Sequence, residues 1–240
     1  FLYPFLLPYA MSGQAEAFQG QVAPLLTAAL VGLSVVALLV ELQGRTLSAK
    51  TTALLGVLVA FTSVLRFIEV ALPAPGGFSP IFAPIILVGY VFGGRFGFLM
   101  GSLTLLASAL ITGGVGPWLP FQMFSAGWAG LTAGWLPHLN RRLDVLFLCA
   151  FGFVWGLLYG AIMNLYFWPF AQGPVEQTWQ QGIGLKETLA HYAAFYVATS
   201  LAWDLVRAVG NAAMLLLMAA PVGKVLMRFR QRFHFEANCE

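Results

Sequence analysis

Charge is missing from long stretches of this chain. Between Glu16 and Glu41 lie 24 uncharged residues, and the 45 residues from Phe96 to Asn140 carry no formal charge either. A helix needs about 20 mostly apolar residues to cross a hydrocarbon core roughly 30 Å thick, so the gaps between charges measure out candidate spans. Val22 to Val40 makes one. Ala49 to Val70 makes a second, with Lys50 and Arg66 able to snorkel at its ends. The interval from Glu69 to Arg95 opens with the loop PAPGGFSP and continues as IFAPIILVGYVF, a short third helix that Pro84 should tilt or make irregular. Phe96 to Asn140 holds two helices joined by the Gly/Pro turn Gly113 to Pro120. Val145 to Trp168 is a sixth span, and a single helix from about Leu189 to Val222 closes the series. Charged residues make up 9% of the chain, against about 25% in an ordinary soluble domain, which excludes a soluble globule. The fold class is all-α and integral to the membrane.

Basic residues in short loops face the cytoplasm, and this rule orients the spans. If the span at Val22 runs inward, the inner segments collect Arg45, Lys50, Arg95, Arg141, Arg142, Lys224, Arg228, Arg230 and Arg232, nine of the twelve basic residues. The outer side keeps Arg66 and Lys186, and Arg207 lies inside the last span. The C-terminus is therefore expected in the cytoplasm. The net charge of +3 is accounted for by the membrane, and the scattered cations form no nucleic-acid-binding face. The chain starts at Phe1, and FLYPFLLPY, too short to span, is read as the outer end of a helix whose beginning lies before it.

Chemistry on a substrate finds little support. GIGLKET at Gly182 to Thr188 is no phosphate loop, because Leu185 separates Gly184 from Lys186. His138, His191 and His234 fall in separate segments without HExxH or CxxC, and Cys149 and Cys239 differ too much in setting for a disulfide or a metal site. No catalytic residue, metal or required cofactor is expected. A transporter carrying its own energy source would need several ionisable groups within the bundle, and only Asp204 and Arg207 stand there. Energy, where any is used, must come from a partner.

Several stretches resemble the substrate-binding S component of energy-coupling factor (ECF) vitamin transporters. SAKTTALLGVLVAFTSVLR is similar to that family's first helix, and the run from SPIFAPIILVGYVFGGRFGF through GGVGPWLPFQM to AGLTAGWLP is similar to its second to fourth; SLAWDLVRAVGNAAM completes the likeness in the last helix. The resemblance covers about residues 47–233. It implies a six-helix bundle at 47–233 in the cytoplasmic membrane of a prokaryote, preceded by an N-terminal membrane segment at 1–46 and followed by a cytoplasmic tail at 234–240. It further implies that the bundle captures a vitamin from outside and is driven by a membrane coupling subunit and two cytoplasmic ATPases. The extra helix Val22 to Leu42 departs from the six-helix form. It leaves open a second reading, an accessory or scaffold subunit of another membrane complex that keeps the bundle without transport. Cobalamin is the first ligand expected, on the PWxPxQM-like loop, ahead of riboflavin-like and pyridoxine-like molecules.

Two groups of residues stand out as candidate sites. Ala49, Ala53, Gly56 and Ala60 recur at helical spacing on one face, where another helix can approach closely. That strip is either an internal packing seam or, as the family resemblance implies, the face that meets the coupling subunit. Asp204 and Arg207 are three apart on one helix face. They are either a self-neutralising structural pair or, with Asn164 and Asn211, the polar lining of a ligand cavity. In the second case the outer loops gather above the cavity, Phe78 and Trp118 roof it, and Gln122 is reached from it. Trp118 could equally anchor the interface, while Trp135 and Trp168, at helix ends, are expected in the interfacial belts. Gly93 and Gly94 should form a tight turn, and Gly97 and Gly101 should permit close helix packing.

Overall fold

The computed structural model describes residues 49–72, 76–180 and 182–237, together with positions 29, 31–34, 36 and 40. The stub at Phe1 to Tyr9, the loop with Arg45 and most of the extra helix Val22 to Leu42 lie outside the described residues. From residue 49 onward the described residues form seven α-helices in order: α1 Ala49–Ala71, α2 Phe82–Phe92, α3 Gly94–Thr112, α4 Leu119–Ala133, α5 Arg141–Phe167, α6 Leu185–Thr199 and α7 Leu201–Ala237. Two short 3-10 turns, Trp168–Phe170 and Val175–Gln177, link α5 to α6, and no strand occurs among the described residues. Among the described residues four segments, Ala49–Ala71, Gly94–Thr112, Arg142–Phe170 and Leu201–Arg232, are long and apolar enough to cross a membrane.

The short helix α2 sits in the middle. Every residue from Phe82 to Val91 is buried, packed among α3, α4, α5 and α7. Eleven residues cannot cross a bilayer alone, but a helix walled in by protein does not have to. It is also regular, contrary to the expectation from Pro84. That proline falls in the first turn, where the backbone N–H has no partner inside the helix and its loss removes no hydrogen bond.

α2 turns into α3 through Gly93, whose φ of +97° is a conformation side chains rarely tolerate. The expected tight turn is there. α3 then packs on α4 through glycine: a β-carbon on Gly97 would strike the Gly130 carbonyl, and one on Gly130 would strike the Gly97 carbonyl. Backbones this close gain dispersion contact where lipid supplies no hydrophobic drive between helices. Gly101 meets the Ala126 backbone in the same way, as its spacing from Gly97 suggested.

The single closing helix expected over Leu189 to Val222 is instead two, divided at Ser200. Thr199 turns its hydroxyl back to the Phe195 carbonyl at 2.7 Å, while the Ser200 carbonyl accepts the Asp204 N–H at 3.0 Å and so begins a new helix. Ser and Thr compete with helical backbone bonding in this manner, and the acidic Asp204 in the first turn suits a helix N-terminus. At 37 residues α7 is about 55 Å long and outruns the hydrocarbon core.

The topology gathers the basic loops. A β-carbon on Gly134, just beyond α4, would run into Gly94, and the His138 ring packs on Tyr90 with centroids 4.3 Å apart. Arg95, Arg142 and Lys224 therefore share one end of the bundle with the start of α1. The opposite end carries the loops at 76–81, 113–118 and 168–184. Trp135 is 71% exposed, as a belt residue should be. Trp168 is not a belt residue: it is 2% exposed, donates its indole N–H to the Gln177 carbonyl at 2.8 Å and meets Tyr192 edge-on. The segment 168–180 folds back over it and supplies the partner that an indole at a bare helix end would lack.

Candidate functional site

The intramembrane charges are set by the way α5 meets α7. Gly152, Gly156 and Gly160 recur every four residues along one face of α5. Opposite them on α7 stand Asn211 with Leu215, then Ala208, then Asp204. The Asp204 carboxylate fills the space that a side chain at Gly160 would take, and Ala208 lies against Gly156. Asp204 is 2% exposed and forms an ion pair with Arg207. Asn211 donates to the Gly152 carbonyl at 3.1 Å, and Asn164, near the end of α5, donates to the Ser200 hydroxyl at 2.6 Å. Asn164, Asp204, Arg207 and Asn211 thus lie along one seam.

Arg207 carries the pair toward other helices. Its guanidinium lies 5.3 Å from the centroid of the Tyr159 ring, a cation–π contact, and reaches the Gly156 carbonyl at 3.5 Å. Tyr159 is held edge-on against Phe82 at 4.7 Å. A second ion pair, Arg66 with Glu69, closes the same end of α1, and the Ser79 hydroxyl donates to Glu69 at 2.7 Å. Arg207 is within electrostatic reach of Glu69, and Tyr159 of all four charges. The result is a four-charge cluster around one tyrosine, at the end of the bundle away from the basic loops. A low-dielectric setting makes each interaction in it count for more than it would in water.

The loop at 76–81 covers this cluster. A β-carbon on Gly77 would come 3.1 Å from the Trp203 carbonyl and 3.5 Å from an Arg207 guanidinium nitrogen, and Gly77 adopts φ +61°. The Phe78 ring is half-buried and occupies the notch left by Gly210 of α7. Phe78 therefore joins the seam. Trp118 and Gln122 stand apart from it: the Trp118 ring folds over Gly116, its indole N–H donates to the Gly114 carbonyl at 3.2 Å, and no hydrogen bond or ion pair among the described residues ties Trp118 or Gln122 to the charges. Among the described residues, two buried acceptors, Asp204 Oδ2 and Asn211 Oδ1, complete no hydrogen bond, and the Tyr196 hydroxyl is a neighbour close enough to act on Asp204.

Arg66, Glu69, Ser79 and Tyr159 were not among the residues singled out from sequence. A signal was present: Arg66 and Glu69 repeat the three-residue spacing of Asp204 and Arg207 with the charges in reverse order. The glycines at 152, 156 and 160 likewise mark a close-packed seam. The strip Ala49, Ala53, Gly56 and Ala60 is exposed along its length, and a β-carbon on Gly56 would meet nothing within 4 Å among the described residues.

Fold and site together define a polytopic α-helical membrane protein in which four charged groups, one of them fully buried, are drawn into one cluster beneath an end loop. The sequence model of the ECF transporter substrate-specific component matches residues 50–219, more than two thirds of the chain, and the chain belongs to that family. Its members are substrate-binding membrane subunits that work with a membrane coupling subunit and ATPases. No curated protein matches the chain. No solved structure matches it either.

Proposed function

We propose that the chain is the capture subunit of a prokaryotic ECF-type importer, binding a vitamin-sized molecule from outside and doing no chemistry on it. The observation that carries this reading is the cluster of Arg66, Glu69, Asp204 and Arg207 around Tyr159, beneath the 76–81 loop, in a chain of the substrate-specific family. Buried charges mark substrate paths in membrane proteins because they are costly to keep for packing alone. Asp204 and Asn211 offer acceptor oxygens, Arg207 and Tyr159 offer a cation and a ring, and Phe78 and Asn164 flank them. Trp118, at the end of the neighbouring loop, and Gln122, in the first turn of α4, lie at the same end and serve as the outer lip. The basic end faces the cytoplasm, in line with the positive-inside rule. Through Ala49, Ala53, Gly56 and Ala60 the first helix meets the coupling subunit, and two ATPases beneath supply the energy.

Cobalamin is the first ligand to test, on the strength of the Pro117 to Met123 loop alone. The test is to purify the chain in mild detergent from its native membrane, identify released small molecules by mass spectrometry, and identify copurifying subunits. A vitamin in the eluate with ATPases in the complex supports the reading. Unrelated membrane subunits and no small molecule would replace it with an accessory role.

A further inference from the structure

At the basic end, far from the charge cluster, a cleft of about 250 Å³ opens between α2, α5 and α7. Its walls are apolar, with Leu87, Val91, Leu148 and Met227 among them, and its polar groups are Tyr90, Asp144 and Lys224. Tyr90 is 4% exposed, and its hydroxyl has no hydrogen-bond partner among the described residues. The His138 ring packed against Tyr90 helps hold that ring in place. Asp144 stands close enough to the hydroxyl to act on it electrostatically, and one of its carboxylate oxygens is fixed by the Leu139 N–H at 2.8 Å. Lys224 is exposed and forms no ion pair with a described residue.

These features select an amphipathic occupant. The volume is below the roughly 300–1,000 Å³ of a site that encloses a drug-sized ligand, so the cleft takes part of a molecule and leaves the rest outside. The walls belong to membrane-embedded helices, so an alkyl chain reaches them from the side. The polar groups sit at the basic end of α7, a helix longer than the hydrocarbon core is thick, so lipid headgroups come within their reach. A cation and an acid at one mouth match a phosphate beside an ammonium. A lipid with a purely anionic headgroup would satisfy Lys224 and set a like charge against Asp144. A buried hydroxyl without a partner is costly, and a lipid oxygen would supply one.

We propose that this cleft binds a zwitterionic aminophospholipid, with a stretch of acyl chain between α2, α5 and α7, the phosphate at Lys224, the ammonium at Asp144, and the Tyr90 hydroxyl donating to a lipid oxygen. The site is independent of any ligand at the opposite end. The experiment reconstitutes the full chain in bilayers of equal phosphatidylethanolamine and phosphatidylglycerol, extracts it in mild detergent, and weighs the intact complexes by native mass spectrometry. One retained phosphatidylethanolamine per chain is expected, in preference to phosphatidylglycerol. Asp144→Asn, nearly isosteric, should erase the preference, and Lys224→Ala should lower retention of either lipid about fivefold. Ala220→Trp should fill the cleft and remove the bound lipid. A wild-type chain that retains no phospholipid, or retains both kinds alike, overturns the proposal. So does a folded Ala220→Trp variant that carries as much lipid as wild type.

Discussion

Gly160 of α5 and Asp204 of α7 share a single space: the aspartate carboxylate stands where a β-carbon on the glycine would be. The buried charge is therefore part of a helix seam as well as one half of an ion pair. The absence of a side chain at Gly160 lets α7 come near enough to α5 for Arg207, paired with Asp204 on its own helix, to reach Tyr159. Packing and electrostatics here are one feature, and both can be disturbed by a single methyl group.

Gly160→Ala should accordingly be far more damaging than an alanine in a helix normally is. The substitution improves intrinsic helix propensity by up to about 1 kcal/mol, yet it must displace a buried carboxylate from its ion pair. A net loss of about 2 kcal/mol or more is expected, in the range of overpacked cores. The midpoint of thermal unfolding in detergent measures it, and an unchanged midpoint would mean that the seam relaxes freely.

The ion pair separates structural from ligand roles through a comparison of single and double variants. Arg207→Ala leaves Asp204 buried without its partner and should cost about 3–5 kcal/mol. Asp204→Ala combined with Arg207→Leu removes both charges and should restore most of that loss, because apolar replacements of buried pairs are often tolerated. The expected double variant is folded and no longer carries the small molecule released from the wild type. A folded double variant that still carries it assigns the pair to architecture.

The helices were legible because the bilayer imposes a length on them, and charge-free intervals record that length directly. Gly97 with Gly101 was legible as packing because close approach needs the same residue one turn apart. The break at Ser200 was hidden, since Thr199 and Ser200 are ordinary inside an apolar run and only their hydrogen bonds show that one helix ends and another begins. Half of the charge cluster was hidden for another reason. Arg66 and Glu69 sit at a helix end, where sequence alone assigns them to the headgroup region, and only the fold brings α1 and the Ser79 loop within reach of Arg207. Trp168 was misread on the same ground, because its cover comes from a segment distant in space until the chain folds back.

The exposed strip on α1 gives a clean test of partner association. A β-carbon at Gly56 would meet nothing within 4 Å among the described residues, so Gly56→Leu should not strain those parts of the bundle and should raise helix propensity slightly. On a docking face, though, a leucine holds the opposing helix away and forfeits backbone contact. The variant is expected to bind its small molecule as the wild type does and to lose copurification with the coupling subunit. Loss of ligand with association intact would place another part of this chain on the strip.

Orientation can be read from cysteines placed at the two ends of the bundle. Lys50, Arg95 and Arg142 lie at the basic end, and Lys186 begins the helix at the loop-rich end. Positive charge is retained on the cytoplasmic side during insertion, which predicts the basic end inside. In a variant lacking Cys149 and Cys239, single cysteines at 50, 95 or 142 should resist a membrane-impermeant thiol reagent in intact cells and react once the membrane is opened. A cysteine at 186 should react in both conditions. The opposite pattern would turn the charge cluster toward the cytoplasm, where a molecule arriving from outside could not reach it, and the capture role would fall with it.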